Sequence, residues 1–281
     1  MTAPHFVTGL SFAPEKLEER RRTLGASEIA AVAGLDPHKS PLQVFLEKTG
    51  QVKPFEGNEF TYWGLKLESV IAERFAETRG VRLMQAEKVI SSSEPWMSAT
   101  PDRLVSPVVG EIALELTEYD GLEVKNKGAR QITRWGESGT DLVPYEIATQ
   151  CHWAMLVTGI RVWYVAALFG GNEFRWYRLD YNADIAEAMQ EIGWNFWFNH
   201  VEKGIAPEID GSESAANYLR EKFRKHSEVL REATPDEDRM IWELRKVRGE
   251  IAELERHEAT LQNRLKAAIG DDAGLLVALA V

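Results

Sequence analysis

Two residues of complementary chemistry stand two positions apart in the stretch GLEVKNKG, residues 121–128. In a β-strand the side chains of Glu123 and Lys125 point to one face and that of Val124 points to the other. No other lysine among the 13 of the chain has an acidic residue two positions before it. The pair is either a solvated pair on an exposed strand or a carboxylate and an ammonium held at a reaction centre.

Further oxygen donors occur where they can reach this pair. Asp102 follows a strand-like run and stands 21 residues before Glu123, and Glu68 lies on a predicted helix upstream. A hard divalent cation takes several oxygen ligands from more than one element of a fold. The three carboxylates and the backbone carbonyl of Val124 form such a ligand set. Mg²⁺ in such a site lowers the pKa of a bound water and stabilises charge on a phosphate, and Lys125 is placed to orient that water.

The residues after the pair are basic. Lys125, Lys127, Arg130 and Arg134 occur within ten residues, with no acidic residue among them. Lys127 shares the strand face of the pair and either contacts DNA or lies in solvent. Trp135 either stacks on a nucleobase or packs against the protein. The sequence leaves both alternatives open.

Other acidic and histidine residues are weaker candidates. Glu115 and Glu118 have no lysine two positions later, and we expect both to face solvent. The six histidines show no metal-ligand spacing. The single cysteine, Cys151, excludes disulfides within the chain and metal clusters held only by cysteine.

The composition is that of an ordinary globular protein, with 44% hydrophobic and 27% charged residues among 281. The net charge of −11 argues mildly against a protein that holds nucleic acid by charge alone, although a carboxylate cation site is itself acidic. No apolar run approaches the roughly 18 residues of a membrane span, and the N-terminus lacks the features of a secretory signal. We therefore expect a cytoplasmic protein with no membrane partner.

Apolar periodicity predicts the elements that position these residues. Helices are predicted at 58–79, which carries Glu68, and at 144–158, which carries Gln150, and Ser27 is predicted to cap a short helix. Strands are predicted at 81–90, 96–105, 112–118, 121–126, 161–169 and 173–181. This order predicts an α/β (α+β) fold in which helices flank a mixed central sheet.

Two regions are expected along the chain. Residues 1–205 are predicted to form the catalytic domain, and residues 206–281 a linker and a helical extension. Apolar residues in the extension step by four and three in turn, interrupted only at Glu258, which is a heptad pattern. One alternative is that the helix packs on the body of the protein or forms a helical hairpin. The other is that it self-associates as a coiled coil. The apolar positions are Met240, Leu244, Val247, Ile251, Leu254, Leu261 and Leu265.

Five segments in this order resemble the PD-(D/E)xK nuclease superfamily, and within it the YqaJ group of phage recombination exonucleases that includes lambda exonuclease. The resemblance covers roughly residues 20–200. The segments are LGASEIAAVAGLD (24–36), WGLKLESVIAERF (63–75), SATPDRLV (98–105), GLEVKNK (121–127) and YEIATQCHWAMLVTGIRVWYVAAL (145–168).

The resemblance implies a role for each residue around the pair. Asp102 and Glu123 match metal ligands, and Lys125 matches the catalytic lysine. Glu68 matches a helix carboxylate near the metals, and Gln150 matches a helix glutamine that steadies the site.

The resemblance also implies a group of residues that hold the 5′ phosphate of DNA. Ser27 matches a serine of that group, and Thr100 stands where the family has a second serine. No arginine is in register with the family's arginine, so Arg130 and Arg134 are both candidates.

The activity implied by the resemblance is an exonuclease that digests one strand of linear double-stranded DNA, 5′ to 3′, and leaves 3′ single-stranded tails for recombination. It implies two Mg²⁺ ions, with Mn²⁺ as a substitute, a homotrimeric ring around the DNA and a single-strand annealing protein as partner. The alternatives are another PD-(D/E)xK endonuclease, or a non-catalytic DNA-binding or assembly module that keeps the fold.

Overall fold

The structure, a computed structural model, describes residues 14–52, 57–106, 115–225, 229–271 and 274. The chain divides into two units, Met1–Phe223 and Arg224–Val281. The domain boundary predicted after residue 205 stays a prediction. The segment from there to Phe223 contributes one helix to the first unit. Among the described residues, no helix combines the length and the apolar character needed to span a membrane.

The helices end at recognisable capping residues. The helices of the described chain are α1 (Pro14–Arg21), α2 (Ala26–Val32), α3 (Pro41–Lys48), α4 (Glu59–Arg79), α5 (Tyr145–Thr158), α6 (Ala183–Phe196), α7 (Glu213–Lys222) and α8 (Pro235–Ile269). α4 begins after Asn58, whose side chain accepts a hydrogen bond from the Thr61 N–H, and it ends at Gly80 in the left-handed conformation with φ 64°. A π-helical turn, Trp197–Val201, continues α6.

The strands form two sheets. They are β1 (Leu24–Gly25), β2 (Arg82–Met84), β3 (Val89–Ile90), β4 (Met97–Ala99), β5 (Arg103–Ser106), β6 (Asp120–Lys127), β7 (Val162–Phe169) and β8 (Glu173–Asp180). The larger sheet has the order β2-β5-β6-β7-β8, and only its β6–β7 pair is parallel. The smaller sheet has the order β1-β4-β3. The mixed sheets and flanking helices confirm the predicted fold class.

Helices cover both faces of the five-stranded sheet. On one face α4 packs Ile71 and Phe75 against Leu122. On the other face α5 belongs to a larger core in which Trp153 and Val165 are fully buried. The parallel strands β6 and β7 are joined through α5, which is the usual way to connect a parallel pair.

Several local expectations were wrong. Ser27 does not cap α2, because the N-cap is Gly25, two residues earlier, and Ser27 lies within the first turn. Residues 112–114 of one predicted strand lie outside the described residues, and its remainder is a 3₁₀ helix, Leu116–Glu118. The segment 81–90 forms two short strands, β2 in the larger sheet and β3 in the smaller one. The segment 96–105 likewise divides into β4 in the smaller sheet and β5 in the larger one.

The alternative left open for Trp135 is now decided. Its side chain is buried, and its ring centroid lies 5.3 Å from that of Phe169 and 5.1 Å from that of Tyr177. Trp135 therefore packs in the core, where it anchors the 3₁₀ helix Ala129–Arg134 to the sheet.

Candidate active site

The side chains of β6 alternate between the two faces of the sheet. Leu122 and Val124 face α4, so Glu123 and Lys125 face α5, because side chains alternate along a strand. The strand approaches β7 closely at Gly121, where an added Cβ would lie 2.2 Å from a ring carbon of Trp163. Only glycine fits there, and this contact helps to fix the position from which Glu123 projects.

Gln150, which lies on α5, joins Glu123 and Lys125 in a closed ring of hydrogen bonds. Lys125 Nζ donates to Glu123 Oε1 at 2.6 Å and to Gln150 Oε1 at 3.1 Å. Gln150 Nε2 donates to the same Glu123 oxygen at 2.7 Å. The glutamate side chain is 7% exposed and the lysine side chain 20%. The pair is therefore held in a partly buried site rather than on a solvated strand.

Asp102 lies at the point where the chain passes from the small sheet to the large one. Its N–H donates to Leu122 O at 3.2 Å, and its Oδ2 accepts from Val124 N–H at 2.7 Å. The N–H and C=O groups of one strand residue point to the same edge. The carbonyl of Val124 therefore points toward the side on which Asp102 lies, as a ligand to a shared cation must.

The electrostatics of the site reflect two crowded carboxylates. Burial and the negative charge of Glu123 raise the pKa of Asp102 well above its usual range. Burial alone lowers the pKa of Lys125, but the charges of Glu123 and Asp102 outweigh it and raise that pKa. Lys125 is therefore an ammonium in this site, which can donate hydrogen bonds and supply positive charge but cannot accept a proton.

Glu68 reaches the site from the opposite face of the sheet. Its Oε1 accepts from Arg103 at 2.7 Å, and the same guanidinium donates to Ser69 Oγ at 3.0 Å and to the backbone carbonyl of Asp102. One guanidinium thus links the carboxylate of Glu68 to the backbone of Asp102. Sequence reasoning missed Arg103, although its place directly after Asp102 was a usable signal.

The oxygen donors of this site fit a hard cation that takes only a few of its ligands from the protein. Within the described ranges, no three His, Cys, Asp or Glu side chains gather as a ready cage. Mg²⁺ does not need one, because it keeps several waters and usually takes one or two carboxylates plus phosphate oxygens. Asp102, Glu123 and the Val124 carbonyl meet that requirement. The two hydrogen bonds to Glu123 both use Oε1, which leaves its second oxygen for a ligand.

Two hydroxyl residues lie at neighbouring strand ends next to Asp102. β1 and β4 are parallel, and Gly25 is opposite Ser98. Ser27 lies in the first turn of α2, which directly follows β1, and Thr100 directly follows β4. Both residues therefore follow the carboxyl ends of two paired parallel strands, and Asp102 comes two residues after Thr100. Both residues are exposed.

The basic residues after β6 form a second group. Burial lowers the pKa of Lys127, and the charges of Lys125 and Arg134 lower it further while Glu146 opposes them. Arg134 is held by Glu146, with its Nη2 2.9 Å from a carboxylate oxygen. Arg130 is exposed and makes no ion pair among the described residues. Arg134 is therefore tied by an ion pair to α5, the helix that carries Gln150.

The remaining candidates lie outside this arrangement. Glu115 and Glu118 are exposed in the 3₁₀ helix before β6, as expected for rival carboxylates that face solvent. Cys151 is fully buried next to the site, and burial raises the pKa of its thiol well above the usual range. It is a neutral thiol that packs beneath the site.

The sequence matches the YqaJ-like viral recombinase domain over residues 16–161, which is just over half of the chain. The chain belongs to this family. It is similar to the YqaJ protein of Bacillus subtilis (strain 168), with 28% identity over 262 residues that cover 92% of this chain and 78% of that protein. The recognition of the family from its motifs is confirmed.

The fold is shared with LHK-Exo, an alkaline exonuclease from Laribacter hongkongensis. That structure covers 75% of this chain and 97% of its own, with a TM-score of 0.52 and 14% identity. A second LHK-Exo structure, in complex with dAMP, has the same TM-score and 15% identity. Family membership and this fold support a nuclease role.

Proposed function

We propose that this protein is a Mg²⁺-dependent exonuclease that digests one strand of linear double-stranded DNA from its 5′ end and leaves 3′ single-stranded tails for recombination. The observation that carries the proposal is the ring of hydrogen bonds among Glu123, Lys125 and Gln150, with Asp102 bonded to the same strand. A solvated surface pair needs no glutamine clamp and no buried second carboxylate.

Asp102, Glu123 and the Val124 carbonyl are the groups that would hold the metal, with Glu68 behind Arg103. Two Mg²⁺ ions are proposed, and Mn²⁺, which also takes oxygen ligands, is expected to substitute. When bound, the metal supplies positive charge to the phosphate and acidifies a water. Asp102 and Glu123 favour that cation because their charges repel one another without it, as the raised pKa of Asp102 reflects.

Gln150 and Lys125 position the reaction around these ligands. Gln150 fixes Glu123 by one hydrogen bond and Lys125 by another, so it sets the direction in which both project. An ammonium has three N–H groups, and Lys125 uses two of them. The third is available to hold the attacking water beside the scissile phosphate and to stabilise the charge that develops there.

The DNA end is proposed to lie along the edge that carries the hydroxyl and basic residues. Ser27 and Thr100 donate hydroxyl hydrogen bonds to the terminal 5′ phosphate, and Arg134, oriented by Glu146, supplies its charge. Lys127 contributes a further contact to the DNA backbone, and Arg130 adds a positive charge. The binding of dAMP by LHK-Exo supports a site that accommodates a nucleoside monophosphate.

The proposal extends to the assembly. A homotrimeric ring around the DNA and a single-strand annealing protein as partner are proposed from the family resemblance. A ring would keep the enzyme on one strand through many cleavages. An annealing protein would bind the 3′ tails as they appear.

The test is digestion of three duplexes: linear with 5′ phosphate, linear with 5′ hydroxyl, and closed circular. Each is incubated with Mg²⁺ or with EDTA, and strand-specific end labels report polarity. We expect mononucleotide release from 5′ ends of linear DNA, fastest with a 5′ phosphate, and none in EDTA. Glu123→Gln should be inactive, whereas Glu115→Gln, at an exposed rival carboxylate, should match the wild type.

The same assay separates the alternatives. Cleavage of the closed circle would replace the proposal with an endonuclease of the same superfamily. Binding of linear DNA without any Mg²⁺-dependent or Mn²⁺-dependent digestion would identify a non-catalytic DNA-binding module.

A further inference from the structure

The 35-residue helix α8 carries a line of apolar side chains that is uncovered in its own unit. Leu254 is 68% exposed and Leu265 is 55% exposed, and among the described residues of this unit no second helix packs against them. The stability of a helix comes mostly from the packing of such a face, and Gly249 in the middle of α8 lowers its intrinsic stability relative to alanine. The pattern of α8 therefore indicates a helical partner.

The spacing assigns each residue a place in the heptad, written a to g. The a positions are Leu244, Ile251, Glu258 and Leu265, and the d positions are Met240, Val247, Leu254 and Leu261. The e and g positions flank this seam and set which partner and which direction a helix accepts. They hold the charged residues Glu243, Arg248, Glu250, Glu255, His257 and Arg264.

We propose that α8 pairs with α8 of a second copy of this chain in an antiparallel two-stranded coiled coil. The pairing is centred between Ile251 and Leu254, so that each a residue faces a d residue of the other helix. Leu244 then packs against Leu261 of the partner subunit, and Leu265 packs against Met240 of the partner subunit. This goes beyond the proposed nuclease function, because it concerns the second unit alone.

The single charge in the seam selects the direction. In a parallel dimer Glu258 would face Glu258 of the partner subunit at the same level, and two like charges would be buried together. In the antiparallel arrangement Glu258 faces Val247 of the partner subunit, and Arg248 of the partner subunit lies within one residue of the same level. The carboxylate then has a cation beside it.

The flanking charges select the same direction. In the antiparallel arrangement the neighbours across the seam are Glu243 with the partner's Arg264, Arg248 with the partner's Glu255, and Glu250 with the partner's His257. Each pair is attractive or, with neutral histidine, not repulsive. In the parallel arrangement Glu243 would meet the partner's Arg248, but Glu250 would meet the partner's Glu255. Antiparallel pairing is the arrangement without a like-charge contact.

The symmetry of this contact has a consequence for assembly. An antiparallel helix pair has a two-fold axis, so the same surface is used on both copies. Such contacts join copies in pairs, so in a ring of three copies one α8 would be left without a partner. The α8 contact is therefore separate from the interface of any three-membered ring and joins two copies, or one ring to another.

Disulfide trapping in the full-length chain tests the direction. Leu244→Cys and Leu261→Cys variants, one carrying a size tag, are oxidised separately and as a mixture. We expect the mixture to form the mixed cross-linked dimer and neither variant alone to cross-link. In the antiparallel pair the two copies of residue 244 are 17 residues apart along the axis, which is roughly 25 Å. The wild type, with only the buried Cys151, is the control for background oxidation.

Cross-linking of Leu244→Cys with itself would show a parallel pair and overturn the proposal. Absence of any cross-link, with the cysteine variants at the same oligomeric mass as the wild type, would show that α8 is covered by something other than a second copy, and would overturn it equally.

A charge substitution provides a second test of the pairing direction and leaves the apolar seam unchanged. Glu255→Arg places two arginines opposite each other in the antiparallel pair but creates an attractive pair with Glu250 in a parallel one. We expect the concentration at which the full chain dissociates through this contact to rise about tenfold. Glu253→Arg, on the outer side of the helix, is the matched control and should leave it unchanged. Tighter association of Glu255→Arg would overturn the proposal.

Discussion

Two lysine–glutamate pairs in the described part of the chain have the same contact distance and different surroundings. Lys48 Nζ lies 2.6 Å from Glu28 Oε2, and Lys125 Nζ lies 2.6 Å from Glu123 Oε1. The side chain of Lys48 is 2% exposed, whereas that of Lys125 is 20% exposed. The first pair lies between helices α2 and α3, and the second lies on β6 under α5.

The first pair is complete in itself. The ammonium of Lys48 also donates to the carbonyls of Arg20 at 2.6 Å and Thr23 at 2.7 Å, so all three of its N–H groups are used. Glu28 Oε2 also accepts from Gly25 N–H at 2.9 Å. Every group that is buried has a partner, which is the condition for a stable buried pair.

The second pair is incomplete, and its charges do not balance. Lys125 has one N–H left, and Asp102 adds a second carboxylate that raises the pKa of the lysine. By contrast, burial lowers the pKa of Lys48 despite the charge of Glu28. A lysine–glutamate contact is therefore no sign of chemistry by itself. The spare donor and the extra negative charge distinguish the second pair, and they are what the proposed cation, water and phosphate would use.

The largest difference between the pairs is expected in catalysis. Lys125→Ala should lower the rate of nucleotide release by roughly 10³ to 10⁴, because it removes the group that holds the water and the developing charge. The free energy of unfolding should fall less than it does when Lys48 is removed, because the side chain of Lys125 is 20% exposed and Gln150 still donates to Glu123. Release of nucleotides from labelled linear duplex and thermal unfolding measure the two effects.

Lys127→Ala, one step further along the same strand face, is the matched control. It should weaken DNA binding a few-fold and leave the rate at saturating DNA intact. A Lys125→Ala enzyme that cleaves as fast as the Lys127→Ala enzyme would remove the distinction between the two pairs.

The second prediction concerns the stability of the closed pair. Lys48→Met should lower the free energy of unfolding by about 3–5 kcal/mol, because Glu28 is left buried without its cation. The double variant Lys48→Met with Glu28→Gln should recover most of that loss, since the amide still accepts from Gly25. Denaturant unfolding measures this, and cleavage per folded molecule should equal that of the wild type in both variants. A loss of catalysis in the folded Lys48→Met protein would contradict the assignment of a purely structural role.

The two pairs should also respond to pH in opposite directions when measured in EDTA. The pKa of Asp102 is raised, so its contribution to stability is complete below 3.8 and is lost as pH rises through the raised pKa. Burial raises the pKa of Glu28, but Lys48 more than offsets this and the pKa is lowered. Its contribution is therefore complete above 4.5 and is lost as pH falls through the lowered pKa.

Unfolding free energies across this range, with Asp102→Asn and Glu28→Gln, measure the two slopes. Asp102→Asn should remove the fall toward higher pH, and Glu28→Gln should reduce the fall toward lower pH. Because the cation needs ionised carboxylates, stabilisation by added Mg²⁺ should grow with pH in the wild type and be lost in Asp102→Asn. Equal slopes in the wild type and Asp102→Asn would contradict the crowding of carboxylates at this site.

The sequence predicted the open pair and missed the closed one for a physical reason. Glu123 and Lys125 are two apart on a strand, so local geometry alone places them on one face. Glu28 and Lys48 are 20 residues apart on two helices, and Arg103 reaches Glu68 across 35 positions. No local period connects such residues, and only the packing of the helices brings them together.

The helices and strands likewise divide into those that the sequence predicted and those that depend on contacts distant along the chain. α4 and α5 were predicted nearly to the residue, because long apolar periods and glycine stops define them without reference to the rest of the chain. β1 and β3 are two residues each and exist only because they pair with β4. The change of sheet between Thr100 and Asp102 was equally invisible, and it is this change that brings Asp102 against Val124.

The smallest expected effect distinguishes the two arginines that the sequence left as candidates. Arg134 is oriented by Glu146 and acts on the pKa of Lys127, so Arg134→Ala should reduce the preference for 5′-phosphorylated over 5′-hydroxyl ends by about tenfold. Arg130→Ala should leave that preference unchanged and lower only the salt dependence of binding, by roughly one phosphate contact. Rates on the two substrates and binding across a salt series measure this. A loss of the preference in Arg130→Ala alone would assign the 5′ phosphate to Arg130 and detach Arg134 from the site.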